Sequence, residues 1–131
     1  MDDLIRLAQT MMTRAYAPYS KFHVGAALEA EDGTVFCGCT VENASYGGTI
    51  CAERTAVVSA VAAGKRRFRR VLIVSDAELP VAPCGFCRQF MAEFGTQLEV
   101  VSVGTNGVSK RWTLAELLPN AFTGADFLEK T

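Results

Sequence analysis

Val71-Leu72-Ile73-Val74-Ser75 is a short, almost unbroken apolar run. A strand with one face in water alternates apolar and polar residues, whereas one without alternation has to be covered on both faces. The run therefore calls for a central sheet with helices on either side. From about Asp3 to Ala17, Leu4, Leu7, Ala8, Met11 and Met12 recur at helical spacing, and Pro18 ends the segment. Val24–Ala30 and Thr34–Cys39 read as strands joined at Asp32-Gly33, a good hairpin turn. Asn43 to Gly48 reads as a loop, and Cys51–Ala63 is rich in alanine and strong helix formers, with Gly64 as its C-terminal cap. A further helix runs from about Gly85 to Phe94 and closes at Gly95. Leu98–Val103 and Val108–Trp112 flank Asn106-Gly107 as two last strands, and a short helix begins at Thr113, where Glu116 suggests a capping box. This order predicts a single α/β domain over residues 1–131, one sheet sandwiched by helices.

Three cysteines stand at the starts of two of these helices: Cys51 opens one, and Cys84 and Cys87 open the other. Two cysteines three apart in a first turn share a helix face, so both sulfurs reach a common point. Helix N-termini carry partial positive charge and unpaired N–H groups that stabilise thiolates. Two such tips together suit a soft divalent ion, and zinc is the natural candidate. Only three strong ligands appear, which leaves a fourth position for water, the mark of a catalytic rather than a structural site. Glu53, two residues after Cys51, leans back past the helix tip and can act there as general base and then general acid. Three thiolates blunt the acidity that zinc gives to bound water; Arg54, on the same helix face as Cys51, can donate to the sulfurs and drain their charge.

Other readings of the cysteines carry costs. A fourth ligand from Cys39 would make the zinc structural and leave Glu53 without purpose. Cys84-x-x-Cys87 alone fits a redox pair, but no thioredoxin-like arrangement surrounds it. Cys37 and Cys39 share one strand face and read as core filling. The count of five cysteines is odd, which argues against a disulfide framework. The start, Met1-Asp2-Asp3-Leu4, is acidic where a secretory signal would be basic, and no apolar run reaches the roughly 18 residues of a membrane span. The expected location is the cytosol, where disulfides are rare. A net charge of −1 argues against a nucleic-acid partner, and charged residues at only 21% exclude disorder. Hydrophobic residues reach 50%, an excess for so small a chain that points to apolar faces kept for sister subunits.

Cys51-Ala52-Glu53-Arg54 followed by Pro83-Cys84-x-x-Cys87 is the signature of zinc deaminases. With it come Ala17-Pro18-Tyr19-Ser20-Lys21-Phe22, Val24-Gly25-Ala26-Ala27-Leu28, Val41-Glu42-Asn43-Ala44 and Leu117-Leu118-Pro119-Asn120-Ala121-Phe122. On these pieces the chain resembles the short, homotetrameric cytidine deaminases over about Tyr16 to Phe122. The resemblance implies a three-layer α/β/α fold with a mixed five-stranded sheet, and one zinc per subunit on Cys51, Cys84 and Cys87. It implies Glu53 as proton shuttle for the conversion of cytidine and deoxycytidine to uridine and deoxyuridine, in pyrimidine salvage. Phe22 would flank the base, Ala52 would touch the substrate, Glu42 would bind a ribose hydroxyl, and Phe122 would stack on the base from a neighbouring subunit. The family usually carries asparagine two residues before Glu42; here that position is Thr40, whose shorter side chain either misses the sugar or reaches it through a water. A deaminase of a modified cytosine nucleoside or a nucleoside antibiotic is therefore the alternative within the fold, and a non-catalytic zinc-stabilised binding module the alternative outside it.

The remaining features have plainer readings. His23, the one histidine, reads as a packed or solvated residue. Lys65-Arg66-Arg67-Phe68-Arg69-Arg70 reads as a solvated helix end favouring positive charge. Phe86, Phe90 and Phe94 at i, i+4 and i+8 read as a core or interface stripe.

Overall fold

The computed structural model describes residues 1–128. Its order is α1 (Asp2–Arg14), β1 (Val24–Ala30), β2 (Val35–Cys39), α2 (Ala52–Ala62), β3 (Phe68–Ser75), α3 (Gly85–Ala92), β4 (Glu99–Val103), β5 (Ser109–Thr113) and α4 (Leu114–Leu117). The strands form one five-stranded sheet in the order β2-β1-β3-β4-β5. Only β3 and β4 are parallel, so the sheet is mixed. The three-layer α/β/α expectation holds.

β3 shows why both faces need cover. Val71 and Ile73 join Ala56, Val57, Ala60, Cys87 and Met91 in the larger core, under α2 and α3. Leu72 and Val74 join Leu4 and Ala8 of α1 in the smaller one. The helices approach closely because glycines let them. A Cβ on Gly25 would lie 2.0 Å from the Ala8 carbonyl oxygen of α1, and one on Gly38 would lie 2.4 Å from the Ala56 nitrogen of α2.

Register decides where the helices begin. Gly25, near the start of β1, faces both Cys39 at the end of β2 and Val74 near the end of β3. The connections that follow β2 and β3 thus leave from the same end of the sheet, and α2 and α3 both start there. α3 is the crossover that a parallel β3–β4 pair requires. That end, beyond the carboxyl ends of the parallel strands, is where open α/β sheets take ligands.

Three boundaries differ from expectation by two residues or more. α1 stops at Arg14, because the chain turns extended at Ala15 and Tyr16 pairs with Val41. α3 stops at Ala92, two residues short of Phe94. The basic run is not simply a helix end: Phe68, Arg69 and Arg70 belong to β3. Arg70 lies 3.2 Å from Glu29 and 3.7 Å from Glu99 across neighbouring strands, and Arg111 lies 3.4 Å from Glu99. Cross-strand charge pairing, not solvation alone, explains why arginines occur there.

Candidate active site

Cys51 is the N-cap of α2 and Cys84 the N-cap of α3; Cys87 sits in the first turn of α3. The Cys84 sulfur accepts the Cys87 backbone N–H at 3.4 Å, so it satisfies one of the orphan donors of the helix start. The three sulfurs lie within 4.8 Å of one another. Cys51 and Cys84 are 3.8 Å apart, Cys84 and Cys87 3.3 Å. Sulfurs at tetrahedral corners about 2.3 Å from zinc stand about 3.8 Å apart, so the cluster fits one zinc ion after small adjustments. Among the described residues it is the one such group of potential ligands. Cys39 does not join it. Its side chain lies on the α1 face of β2, where the thiol approaches the Arg14 carbonyl at 3.8 Å. Cys37, two residues earlier, shares that face, and burial pushes its thiol up.

Charge in the cluster is uneven. The Cys51 thiol is drawn down to about 5, first by a hydrogen bond from Cys87 and, against burial, also by Arg54 and Cys84. Cys87, fully buried and the giver of that bond, is held well above the usual thiol range. Arg54 donates through Nη2 to the Cys51 sulfur at 3.5 Å and to the Thr49 carbonyl at 3.1 Å. Glu53 is 4% exposed, and burial pushes its carboxyl up to about 7, with the Cys51 charge adding to the effect. A carboxyl that gains and loses a proton near neutrality is suited to acid–base work.

Glu53, Cys51 and Cys84 meet at the floor of a cavity of about 220 Å³ whose walls include Phe22, Thr40 and Glu42. That volume admits one small ring system and part of a sugar. Thr40 is buried, and its hydroxyl donates to the Val24 carbonyl at 3.4 Å, back towards the sheet. Glu42 accepts the backbone N–H groups of Tyr19 at 2.9 Å and Ser20 at 3.1 Å, and also the Ser20 hydroxyl. Those bonds, the Ser20 hydroxyl first, hold its carboxyl below the usual range. Ala52 is fully buried in the core beneath and does not line the cavity. Phe122 does not line it either. It is 62% exposed, its ring stacked on Phe127, with its carbonyl held by Gln89 at 2.7 Å.

Sequence reasoning passed over Ser20, although it stands inside the quoted Ala17–Phe22 segment. It also passed over Val81 and Ala82, which line the cavity from the loop before α3. His23 is tied to Asp76, with Nδ1 at 2.6 Å from the carboxylate and the backbone N–H at 2.8 Å.

A mixed sheet sandwiched by helices, with a three-sulfur metal corner and a buried carboxyl at two helix tips, defines a metal-dependent hydrolytic enzyme. The profile of the cytidine and deoxycytidylate deaminase zinc-binding region matches residues 1–105, and the chain belongs to that family. A cytidine deaminase from Sporosarcina psychrophila is 47% identical over 127 residues, covering 96% of this chain and 93% of its own. The crystal structure of a cytidine deaminase from Burkholderia pseudomallei superposes with a TM-score of 0.89 at 51% identity, covering 92% of this chain and 98% of that one. One from Mycobacterium tuberculosis gives 0.79 at 36% identity, covering 92% and 95%. The metal of the family is zinc, and the Cys51, Cys84 and Cys87 cluster is where it fits.

Proposed function

We propose that the protein hydrolyses the exocyclic amino group of cytidine and deoxycytidine, forming uridine or deoxyuridine and ammonia. The observation that carries this reading is Glu53: a carboxyl poised near neutrality, buried beside three sulfurs at the floor of a cavity that admits a pyrimidine ring. Cys51, Cys84 and Cys87 would hold zinc, which would supply the Lewis acidity that makes water a nucleophile at neutral pH. Glu53 takes the proton released from that water and delivers it to N3 of the pyrimidine as oxygen adds at C4. The proton of the new C4 hydroxyl then passes through Glu53 to the amino group, the C4–N bond breaks as the C4 carbonyl forms, and ammonia leaves. Arg54 offsets the charge of the sulfurs. Phe22 flanks the base, while Glu42 receives a ribose hydroxyl, kept in place by the Tyr19–Ser20 turn.

Phe122 completes the site from a neighbouring copy, in a homotetramer whose contacts use the exposed apolar side chains Tyr46, Phe122 and Phe127. The whole chain acts as one domain, in the cytoplasm, in pyrimidine salvage. Among the described residues, no helix is long and apolar enough to cross a membrane. A second reading, a modified cytosine nucleoside as substrate, draws on Thr40, whose hydroxyl is turned away from the cavity. Ammonia release from a panel of nucleosides, with zinc content measured alongside, tests both. Turnover of cytidine supports the first reading; inert cytidine beside an active modified analogue replaces it with the second.

A further inference from the structure

Phe86 breaks the aromatic stripe of α3. Phe90 and Phe94 pack against the larger core, with ring centroids 6.5 Å apart, whereas Phe86 is 64% exposed. On the single chain this apolar ring, between two cysteines of the metal corner, packs on no core and has one notable contact. It lies against the guanidinium of Arg54, 4.2 Å from carbon to ring centroid, although Arg54 belongs to α2 and Phe86 to α3. The contact with the ring leaves Nη2 able to donate. Nη2 donates to the Cys51 sulfur and the Thr49 carbonyl, while Nε is buried with no partner among the described residues. With so few bonds of its own, a long and flexible side chain needs another contact to stay on the sulfur.

We propose that Phe86 is a positioning residue for the metal corner: its ring holds the Arg54 guanidinium against the Cys51 sulfur by a cation–π contact that spans the two helices carrying the cysteines. Without the ring, Arg54 swings towards solvent, the Cys51 sulfur loses its donor, and the ligand set becomes more electron-rich. Phe86 thus tunes the metal without touching substrate, and its loss lowers kcat while leaving KM in place. This role rests on the assignment of zinc to the three cysteines, yet its main readout needs no substrate.

The test compares Phe86→Leu, which keeps apolar bulk without a π face, with Phe86→Tyr, which keeps both, in the cobalt(II)-substituted full-length protein. In Phe86→Leu the sulfur-to-cobalt charge-transfer band should move to longer wavelength, as it should in Arg54→Gln, and kcat should fall about three- to tenfold with KM within about twofold, the range of a partly exposed cation–π contact. Phe86→Tyr should restore both. In an Arg54→Gln background, Phe86→Leu should change nothing further, since the two residues act as one unit. An unmoved band in Phe86→Leu overturns the proposal, as does an equal shift with and without Arg54. Inert cytidine with the band behaving as described would instead count against the substrate assignment alone.

Discussion

The two sides of the cavity are built differently. Its floor is built within one chain: Glu53 and the neighbouring Cys87 are almost inaccessible, Cys51 is half-buried and Cys84 exposed, and two helix starts fix the sulfurs. Its aromatic surroundings are open. Phe22 is 39% exposed, and Phe122 does not line the chain's own cavity. Chemistry that depends on a pKa needs a fixed, water-poor environment, which a single core can provide. Enclosing a substrate needs surface on every side, and a small domain has too little to wrap around its own ligand. The floor belongs to the chain; in the proposed function the roof comes from a neighbouring copy.

Glu53→Gln tests the floor with the largest expected effect. The amide keeps the shape but cannot take a proton, so turnover should drop by about 10²- to 10⁴-fold. Zinc content should stay at one per chain, since Glu53 is not among the clustered sulfurs. Metal analysis beside a cytidine assay separates the two properties; unchanged turnover would remove Glu53 from the reaction.

The same substitution has a pH signature in the metal-free protein. The Glu53 carboxyl is raised from 4.5 to about 7 on folding, so between those values the native state keeps a proton that the unfolded chain sheds. Stability must then fall as pH rises through that window and level off above it. Glu53→Gln should abolish this slope, leaving the metal-free variant more stable than its parent by up to about 3 kcal/mol at pH 8 and equal to it near pH 4. Urea unfolding at the two pH values measures the difference, and parallel pH profiles would show that the carboxyl is not destabilised by burial.

Phe122→Ala tests the roof. Base–aromatic stacking is worth about 1–3 kcal/mol, so kcat/KM should fall roughly 5- to 150-fold with zinc intact. Mixing this variant with Glu53→Gln, by unfolding and refolding together, sharpens the contrast between the two regions. Sites that pair Glu53 of one copy with Phe122 of another should regain activity above the sum of the separate variants. If Phe122 served only its own chain, no mixture would recover.

Legibility in the sequence follows the same division. The cysteines and Glu53 could be located because helix starts are marked locally, by Pro83 and by the runs of helix formers after Cys51 and Gly85. The covered strand was legible from Val71–Val74, since continuous apolar character is a local property as well. Phe68–Arg70 was not, because arginines become strand residues only when Glu29 and Glu99 arrive on neighbouring strands. Phe86 was hidden for a similar reason: its helical spacing matches Phe90 and Phe94, but its partner Arg54 comes from another helix. The use of Glu42 to hold the Tyr19–Ser20 turn likewise spans more than twenty residues. Spacing conveys what a helix does to itself and little of what one element does to another.

Thr40 lies where floor and roof meet, and carries the smallest predicted effect. Its hydroxyl is spent on the Val24 carbonyl at 3.4 Å, so the wall it offers to a sugar is a methyl group. Asparagine at this position has a longer side chain and an amide able both to donate and to accept. One added neutral hydrogen bond to a ribose hydroxyl is worth about 0.5–1.5 kcal/mol, so Thr40→Asn should lower KM for cytidine about two- to tenfold and leave kcat unchanged. Thr40 is only 7% exposed, so crowding against its neighbours can cancel part of this gain. Thermal unfolding separates the two contributions, because crowding lowers the midpoint whatever nucleoside is present. A variant with intact stability and an unimproved KM would show that the wall at Thr40 does not face the sugar, and the second reading of the substrate would lose the observation that favours it.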